Sequence, residues 1–112
     1  MGSLSDRHCV PCHGGVPRLT GEETAPLLKE LRGWEVVEEH HLLKDFKFSN
    51  FADALSFVNR VGQIAEREGH HPDIALGWGY AQIKIYTHAI GGLSESDFIL
   101  AAKIDEAVAS SQ

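Results

Sequence analysis

Residues 49–72 read SNFADALSFVNRVGQIAEREGHHP and carry the strongest helix signal in the chain. Ser49 or Asn50 can cap the N-terminus of this helix. Apolar residues then recur at the spacing of one buried helix face, at Phe51, Ala54, Leu55, Phe57, Val58, Val61, Ile64 and Ala65. Gly69 suits the left-handed position that follows a helix, and Pro72 prevents continuation. The segment predicts a long amphipathic helix that ends just before a His-His-Pro sequence.

A pair of strands is predicted on each side of this helix. Alternating or apolar residues bounded by turn signals occupy four segments, residues 34–37, 42–48, 73–76 and 81–86. In the last segment, Ile83 and Ile85 alternate with more polar side chains. We therefore expect antiparallel strands with one covered face and one freer face.

Two more helices complete the predicted domain. Thr20 followed by Glu23 forms a capping box that starts a helix over residues 21–32. Ser94 followed by Asp97 opens the last helix in the same way. The order α-β-β-α-β-β-α predicts an α+β domain, in which a four-stranded antiparallel sheet carries three helices packed on one face.

Composition limits the classes of protein to consider. The 112 residues include 43% hydrophobic and 23% charged residues, which is typical of one globular domain. A formal charge of −6 without a Lys and Arg cluster argues against direct nucleic-acid binding. No apolar run reaches the roughly 20 residues of a membrane span, and the N-terminus lacks a signal-peptide pattern, so we expect a cytoplasmic protein. A domain this small gains stability from self-association, which favours a homodimer or homotetramer.

Three of the seven histidines lie near the predicted helix exit and the end of the last strand. Glu66 and His70 are four residues apart, so the carboxylate could orient the imidazole on a shared helix face. His71 precedes Pro72 and is therefore expected to be extended, so the two adjacent histidines point in different directions. His88 follows the last strand at the rim of a loop. Because imidazoles titrate near neutral pH, this trio predicts acid–base chemistry.

Other interpretations of these side chains remain open. The trio and Glu66 are all competent zinc ligands, although the sequence has no HxxxH or HExxH spacing. His40 and His41 fall at a hairpin, where strand alternation would send them to opposite, solvated faces. Asp97 could serve only as a helix-capping carboxylate or could also belong to the site.

Three sequence segments resemble the pterin-4a-carbinolamine dehydratase family over about residues 20–108. They are Glu66-Arg-Glu-Gly-His70-His71-Pro72-Asp73, Thr87-His88 and Gly92-Leu93-Ser-Glu-Ser-Asp97-Phe98. His88 follows His71 by seventeen residues, and Asp97 follows His88 by nine, which makes the pattern specific.

The resemblance implies the same α+β fold and an enzyme that needs no cofactor or metal. Such an enzyme removes water from 4a-hydroxytetrahydropterin to give quinonoid dihydropterin, and so recycles the pterin of aromatic amino acid hydroxylases. It also implies that His70, His71 and His88 are catalytic. Within the trio, it implies that His70 and His88 move protons while His71 holds the pterin.

The resemblance matches Glu66 and Asp97 to the family's site glutamate and aspartate. We expect these two residues, together with Pro72, Trp78 and Thr87, to have substrate-binding or supporting roles. Animal members have an aromatic pair soon after His-His-Pro, whereas this chain has Asp73, Ile74 and Ala75, and its aromatic residue in this stretch is Trp78. A second hypothesis is a noncatalytic dimerisation, assembly or coactivator module on the same fold.

Residues 1–19 predict an N-terminal arm, and residues 20–112 form the predicted domain. The arm contains Cys9-Val-Pro-Cys12-His13, which matches the C-x-x-C-H haem-attachment pattern, although no export signal accompanies it. A zinc knuckle would need a further ligand. A thiol pair that is either reduced and inactive or weakly redox-active is the interpretation we favour.

Overall fold

The computed structural model describes residues 4–7 and 18–110. Its main elements follow the predicted order: α1 Gly21–Leu28, β1 Glu35–Val37, β2 His41–Lys47, α2 Phe51–Glu68, β3 Asp73–Gly77, β4 Tyr80–Ile85 and α3 Glu95–Ser110. One short 3-10 turn, Leu4–Asp6, precedes α1, and another, His88–Ile90, lies between β4 and α3. The predicted α+β fold is confirmed.

Helix α2 begins and ends where the sequence indicates. The side chain of Asn50 accepts a hydrogen bond from the backbone N–H of Asp53 at 2.8 Å, which caps the N-terminus. Gly69 follows the helix with φ 65°, a left-handed conformation that glycine adopts at little cost. This residue turns the chain out of the helix immediately before His70.

The four strands form an antiparallel sheet in the order β1-β2-β4-β3. The helices cover one face, where alternate strand residues are buried against helical side chains: Leu42, Phe46, Ala81, Ile83 and Ile85 from the sheet, and Phe57, Val61, Phe98 and Ile104 from the helices. Each large apolar side chain buried in this way contributes about 1.5–3 kcal/mol of transfer free energy. The packing of this core holds β4, and the loop that follows it, in a fixed position.

Helix α1 is shorter than the predicted 21–32. It ends at Leu28, and the next residues form tighter turns in which Leu31 N–H donates to the Leu28 carbonyl at 3.0 Å. Asp105 of α3 then accepts hydrogen bonds from the Arg32 backbone N–H at 3.1 Å and from Trp34 Nε1 at 2.9 Å. These tertiary contacts direct the chain toward β1 and override the helical spacing of the sequence.

The β1–β2 turn differs from the sequence expectation. Glu38 and Glu39 both have φ 54°, so the strand alternation does not continue through the turn. As a result His40 and His41 do not point to opposite faces: both are half-buried, with their Nδ1 atoms 3.0 Å apart. The expectation of two separate, solvated rings is wrong.

Part of the N-terminal arm packs against the domain. Leu4 is buried in the core, Ser5 Oγ donates to Glu106 Oε1 at 2.6 Å, and Lys103 Nζ donates to the Ser5 carbonyl at 2.9 Å. Cys9, Cys12 and His13 lie outside the described residues, so the haem, zinc and free-thiol interpretations stay predictions. Within the described ranges, no helix is both long and apolar enough to cross a membrane.

Candidate active site

A cavity of about 410 Å³ lies at the end of the sheet where α2 exits and β4 ends. Its lining joins the helix exit to the residues after β4: Gly69, His70, His71, Pro72, Asp73, Tyr86, Thr87 and His88. The three histidines singled out in the sequence therefore border one cavity. A smaller cavity of about 180 Å³ lies between the N-terminal turn and α3, and its lining has carboxylates but no histidine.

His70 is held by a buried carboxylate. Its Nε2 atom lies 2.5 Å from Oδ1 of Asp97, whose side chain is 0% exposed, against 14% for His70. A carboxylate oxygen can only accept, so Nε2 of His70 carries hydrogen and Nδ1 of the neutral ring is the proton acceptor. Asp97 thereby fixes both the orientation and the tautomer of His70.

The other oxygen of Asp97 secures the start of α3 and the end of β4. Oδ2 accepts hydrogen bonds from the Ser94 backbone N–H at 2.8 Å and from Thr87 Oγ1 at 2.9 Å. The predicted capping role of Asp97 is thus present together with a contact in the site. Thr87, which is buried and directly precedes His88, thereby ties the carboxylate to the segment that carries His88.

The predicted Glu66–His70 pair is not formed. Glu66 Oε2 instead lies 2.5 Å from Nε2 of His71, with both side chains largely exposed at 79% and 58%. The i, i+4 rule holds only while the backbone is helical, and the left-handed Gly69 turns His70 away from the helix face. Each of the adjacent histidines therefore has its own carboxylate partner. Asp97 of α3 contacts His70, and Glu66 of α2 contacts His71.

His88 lies on a closed loop that follows β4 and borders the same cavity. The Thr87 N–H donates to the Gly92 carbonyl at 2.8 Å, which closes the loop over residues 87–92. Arg18 braces this loop from outside by donating to the Gly91 carbonyl at 3.2 Å. The His88 side chain is exposed and packs against the Tyr86 ring, with 4.2 Å between the ring centroids.

The predicted supporting residues divide into two groups. Pro72 and Thr87 line the cavity as expected, and Pro72 stands between His71 and the first residue of β3. Trp78 does not reach it: Trp78 lies in the turn between β3 and β4, at the opposite end of the strand pair, and is 73% exposed. The reason is the strand register, since Asp73 pairs with Lys84 near the cavity whereas Gly77 pairs with Tyr80 beside the turn.

Tyr86 is the site residue that the sequence reasoning missed. It lines the cavity between Asp73 and the Thr87-His88 pair. Its place on the freer face of β4 and two residues before His88 was a usable signal, because alternate strand residues share a face. An aromatic side chain of this site therefore comes from the residue directly after β4, rather than from the segment after His-His-Pro.

The electrostatics beside the cavity include one clear shift. Burial lowers the pKa of His41 below its ordinary value of 6.5, and the neighbouring charges of Lys84 and His40 lower it further, while Glu38 opposes them. A neutral His41 agrees with the Nδ1–Nδ1 contact to His40, because one of two rings sharing a hydrogen bond must accept. Among the residues of the described ranges, no three His, Cys, Asp or Glu side chains are arranged to hold a metal ion.

Solved structures with this fold include pterin dehydratases. A transcriptional coactivator/pterin dehydratase from Brucella melitensis superposes with a TM-score of 0.75 at 30% identity, over 80% of this chain and 96% of the other. A pterin dehydratase-like protein identified as a RuBisCO assembly factor in the α-carboxysome gives a TM-score of 0.58 at 26% identity, over 67% and 88%. The fold is that of the pterin dehydratases and their structural relatives.

Sequence comparison gives the family itself. The profile described as pterin 4 alpha carbinolamine dehydratase matches residues 17–107. A Rubrobacter xylanophilus protein bearing the family's name is 59% identical over 94% of this chain and 98% of its own, and an Alkaliphilus metalliredigens protein of the same name is 49% identical over 95% and 96%. The chain belongs to the pterin-4a-carbinolamine dehydratase family, whose enzymes are hydro-lyases.

Proposed function

We propose that this chain dehydrates 4a-hydroxytetrahydropterin by acid–base catalysis with His70, His71 and His88. The observation that carries the proposal is the placement of all three imidazoles on one cavity, with His70 fixed by a fully buried carboxylate. Acid–base groups positioned in this way contribute about 10²–10⁴-fold to a rate. The proposed reaction requires no cofactor, because proton transfer alone completes it.

The reaction needs one proton donor and one proton acceptor. The C4a–O bond breaks as the departing hydroxyl receives a proton and leaves as water. The N5–H proton is lost, and its electron pair forms the C4a=N5 double bond of the quinonoid product. His70 and His88 take these two roles, with Nδ1 of His70 available because Asp97 occupies Nε2.

His71 has a different position and therefore a different proposed role. Its ring pairs with Glu66 at the exposed rim of the cavity, where the imidazole can form a hydrogen bond to a polar edge of the pterin. Tyr86, Pro72 and Thr87 complete the wall around the bound ring. Substrate binding and proton transfer are thus divided among the three histidines.

The experiment is a dehydration assay on wild type and two single variants, His70→Ala and His88→Ala. We expect each variant to lose about 10²-fold or more of the enzymatic rate. Asp45→Asn is a matched surface control, because Asp45 is exposed on β2 and bonds only to Gln82 among the contacts described. Wild-type protein without any acceleration over buffer would disprove the proposal.

The proposed cellular role is recycling of the tetrahydropterin used by a pterin-dependent hydroxylase. The product of the dehydration is a dihydropterin that a reductase must return to the tetrahydro form. Deleting the coding sequence should lower hydroxylase turnover in a host that has such an enzyme, and a catalytically inactive His70→Ala variant should not restore it.

A second candidate function is a noncatalytic assembly or coactivator role. It is favoured by the two structural relatives, because one is described as a coactivator as well as a dehydratase and the other as an assembly factor. A double variant lacking the rings of His70 and His88 separates the functions: a partner complex that persists with this variant supports an assembly role, and complete loss of phenotype supports catalysis.

We further propose that the chain forms a homodimer or homotetramer and acts in the cytoplasm. Within residues 4–7 and 18–110, four large apolar side chains are exposed, Phe51, Leu55, Trp78 and Tyr80, and a second copy of the chain is the occupant we propose for them. Sedimentation of wild type and Trp78→Ser tests self-association, and cell fractionation tests the location. Direct nucleic-acid binding is not part of the proposal, since the net charge is −6.

A further inference from the structure

Four rings form a continuous row that starts inside the cavity and ends at the β1–β2 turn. The centroid of His88 lies 4.2 Å from that of Tyr86, Tyr86 lies 4.5 Å from His40, and His40 lies 5.3 Å from His41. The first two contacts are tilted by 35° and 40°, and their short centroid distances show that these rings pack against each other. We call His88, Tyr86, His40 and His41 the ring row.

The three pocket histidines differ in what holds them. His70 and His71 each have a carboxylate partner on Nε2, whereas His88 is exposed and its described ring contact is with Tyr86. An exposed side chain without a firm neighbour samples several rotamers, which lowers the fraction of molecules with a correctly placed proton donor or acceptor. The Tyr86 ring restricts that sampling.

His40 supports Tyr86 from a turn that is itself anchored. Glu39, one residue before His40, accepts a hydrogen bond on Oε1 from the backbone N–H of Gly21 at 3.1 Å. Nδ1 of His40 also lies 3.0 Å from Nδ1 of His41 in β2. His40 therefore has a fixed place outside the cavity lining, from which it can act on His88 only through Tyr86.

We propose that Tyr86 and His40 are positioning residues for the dehydration, with Tyr86 fixing the ring of His88 and His40 fixing Tyr86. This inference rests on the proposed function of the cavity. The positioning role of Tyr86 depends on its aromatic ring rather than on its hydroxyl group, because the contact with His88 is between the two rings. It also makes the β1–β2 turn, which is remote in sequence from the histidine motif, a contributor to turnover.

The rival role for Tyr86 is direct stacking on the pterin, and kinetics separate the two. A residue that positions His88 affects the chemical step, so its loss lowers kcat with KM nearly unchanged. A residue that binds the pterin equally in the ground and transition states changes KM with kcat unchanged. His40 sharpens the distinction, since it supports His88 without lining the cavity.

The test compares ring-keeping and ring-removing variants at both positions. Tyr86→Leu should lower kcat by roughly threefold to tenfold, the range expected for one aromatic contact, and Tyr86→Phe should restore it. His40→Leu should cause a smaller decrease that His40→Phe restores. Gln82→Ala, on the same face of β4, is the control with unchanged kcat and KM.

A second readout does not depend on activity. In NMR spectra of the free protein, the ring protons of His88 should shift on Tyr86→Leu and on His40→Leu but not on Gln82→Ala, because they lie within the ring current of Tyr86. An increase in KM alone, or an equal loss of kcat in Tyr86→Phe and Tyr86→Leu, would overturn the inference. If wild type has no dehydratase activity but the NMR shifts occur, the ring packing stands and the proposed function fails.

Discussion

Asp97 Oδ1 lies 2.5 Å from Nε2 of His70, although the two residues are 27 positions apart in the chain. The same carboxylate also caps the start of α3 through the Ser94 backbone N–H. One buried side chain thus connects the exit of α2, the start of α3 and the cavity, so the packing of the two helices sets the orientation of the His70 ring, which we propose to be catalytic.

Asp97→Asn should reduce both stability and activity. The amide keeps the shape but replaces one acceptor oxygen by a donor, so hydrogen bonds from Thr87 or His70 are lost inside the protein. We expect the free energy of unfolding to fall by about 1–3 kcal/mol, and the dehydration rate to fall with it at temperatures where the variant is folded. Urea denaturation and the dehydration assay measure these effects. Unchanged values of both would contradict the role given to Asp97.

Glu66→Gln should affect substrate binding with little effect on stability. The Glu66–His71 pair is largely exposed, and such pairs contribute about 0–1 kcal/mol. Loss of the carboxylate removes the contact that orients the His71 ring, so we expect a higher KM for the pterin at unchanged kcat. Glu35→Gln, an exposed change on β1, is the control. A decrease in kcat alone would place His71 in the proton-transfer step instead.

Gly92→Ala should disturb the loop that carries His88. A Cβ atom at Gly92 would lie 2.6 Å from Cδ and 2.8 Å from Cβ of Arg18, so the brace must move. We expect a loss of about 1–3 kcal/mol in the free energy of unfolding together with a lower dehydration rate. Combining it with Arg18→Gly should recover part of the stability, because the clashing side chain is then absent.

Gly62→Ala is the matched control for that glycine substitution. Gly62 lies within α2, and a Cβ there would meet nothing within 4 Å. Alanine is favoured over glycine inside a helix, so thermal melting should show a gain of about 0.5–1 kcal/mol. Equal destabilisation by both substitutions would show that the contact with Arg18 is not the reason why alanine is unfavourable at position 92.

His41 should make stability depend on pH. Its pKa in the folded protein is lowered, chiefly by burial, so the unfolded chain binds the proton more readily. The neutral His41 ring therefore contributes to the free energy of unfolding above the ordinary histidine pKa of about 6.5. This contribution is lost as the pH falls through the lower pKa of His41 in the folded protein. His41→Gln should flatten this part of the profile of unfolding free energy against pH. An unchanged slope between about pH 5 and 7 would contradict the prediction.

The sequence predicted the elements of the fold because their signals are local. The helix from Asn50 to Gly69 depends on spacing, a cap and a glycine, all within one segment. The carboxylate partners of the histidines were not predictable in the same way. The left-handed conformation of Gly69 directs His70 toward Asp97 of α3, so Glu66 contacts His71 instead. These pairings depend on the three-dimensional path of the chain and not on residue spacing.

The aromatic part of the site was missed for a related reason. Trp78 was the aromatic residue nearest the His-His-Pro sequence, but the register of β3 against β4 places it at the far end of the strand pair. Tyr86 reaches the cavity because it leaves β4 beside His88, and its contact with His40 requires the unusual backbone of the β1–β2 turn. Neither register nor turn conformation follows from residue spacing alone.

The most direct test of the site is the dehydration rate of a His70→Ala/His88→Ala double variant measured beside wild type, with circular dichroism to verify folding. We predict that wild type accelerates the loss of 4a-hydroxytetrahydropterin and that the folded double variant loses about 10²–10⁴-fold of that acceleration. A folded double variant that retains the wild-type rate would contradict the assignment of proton transfer to these two rings.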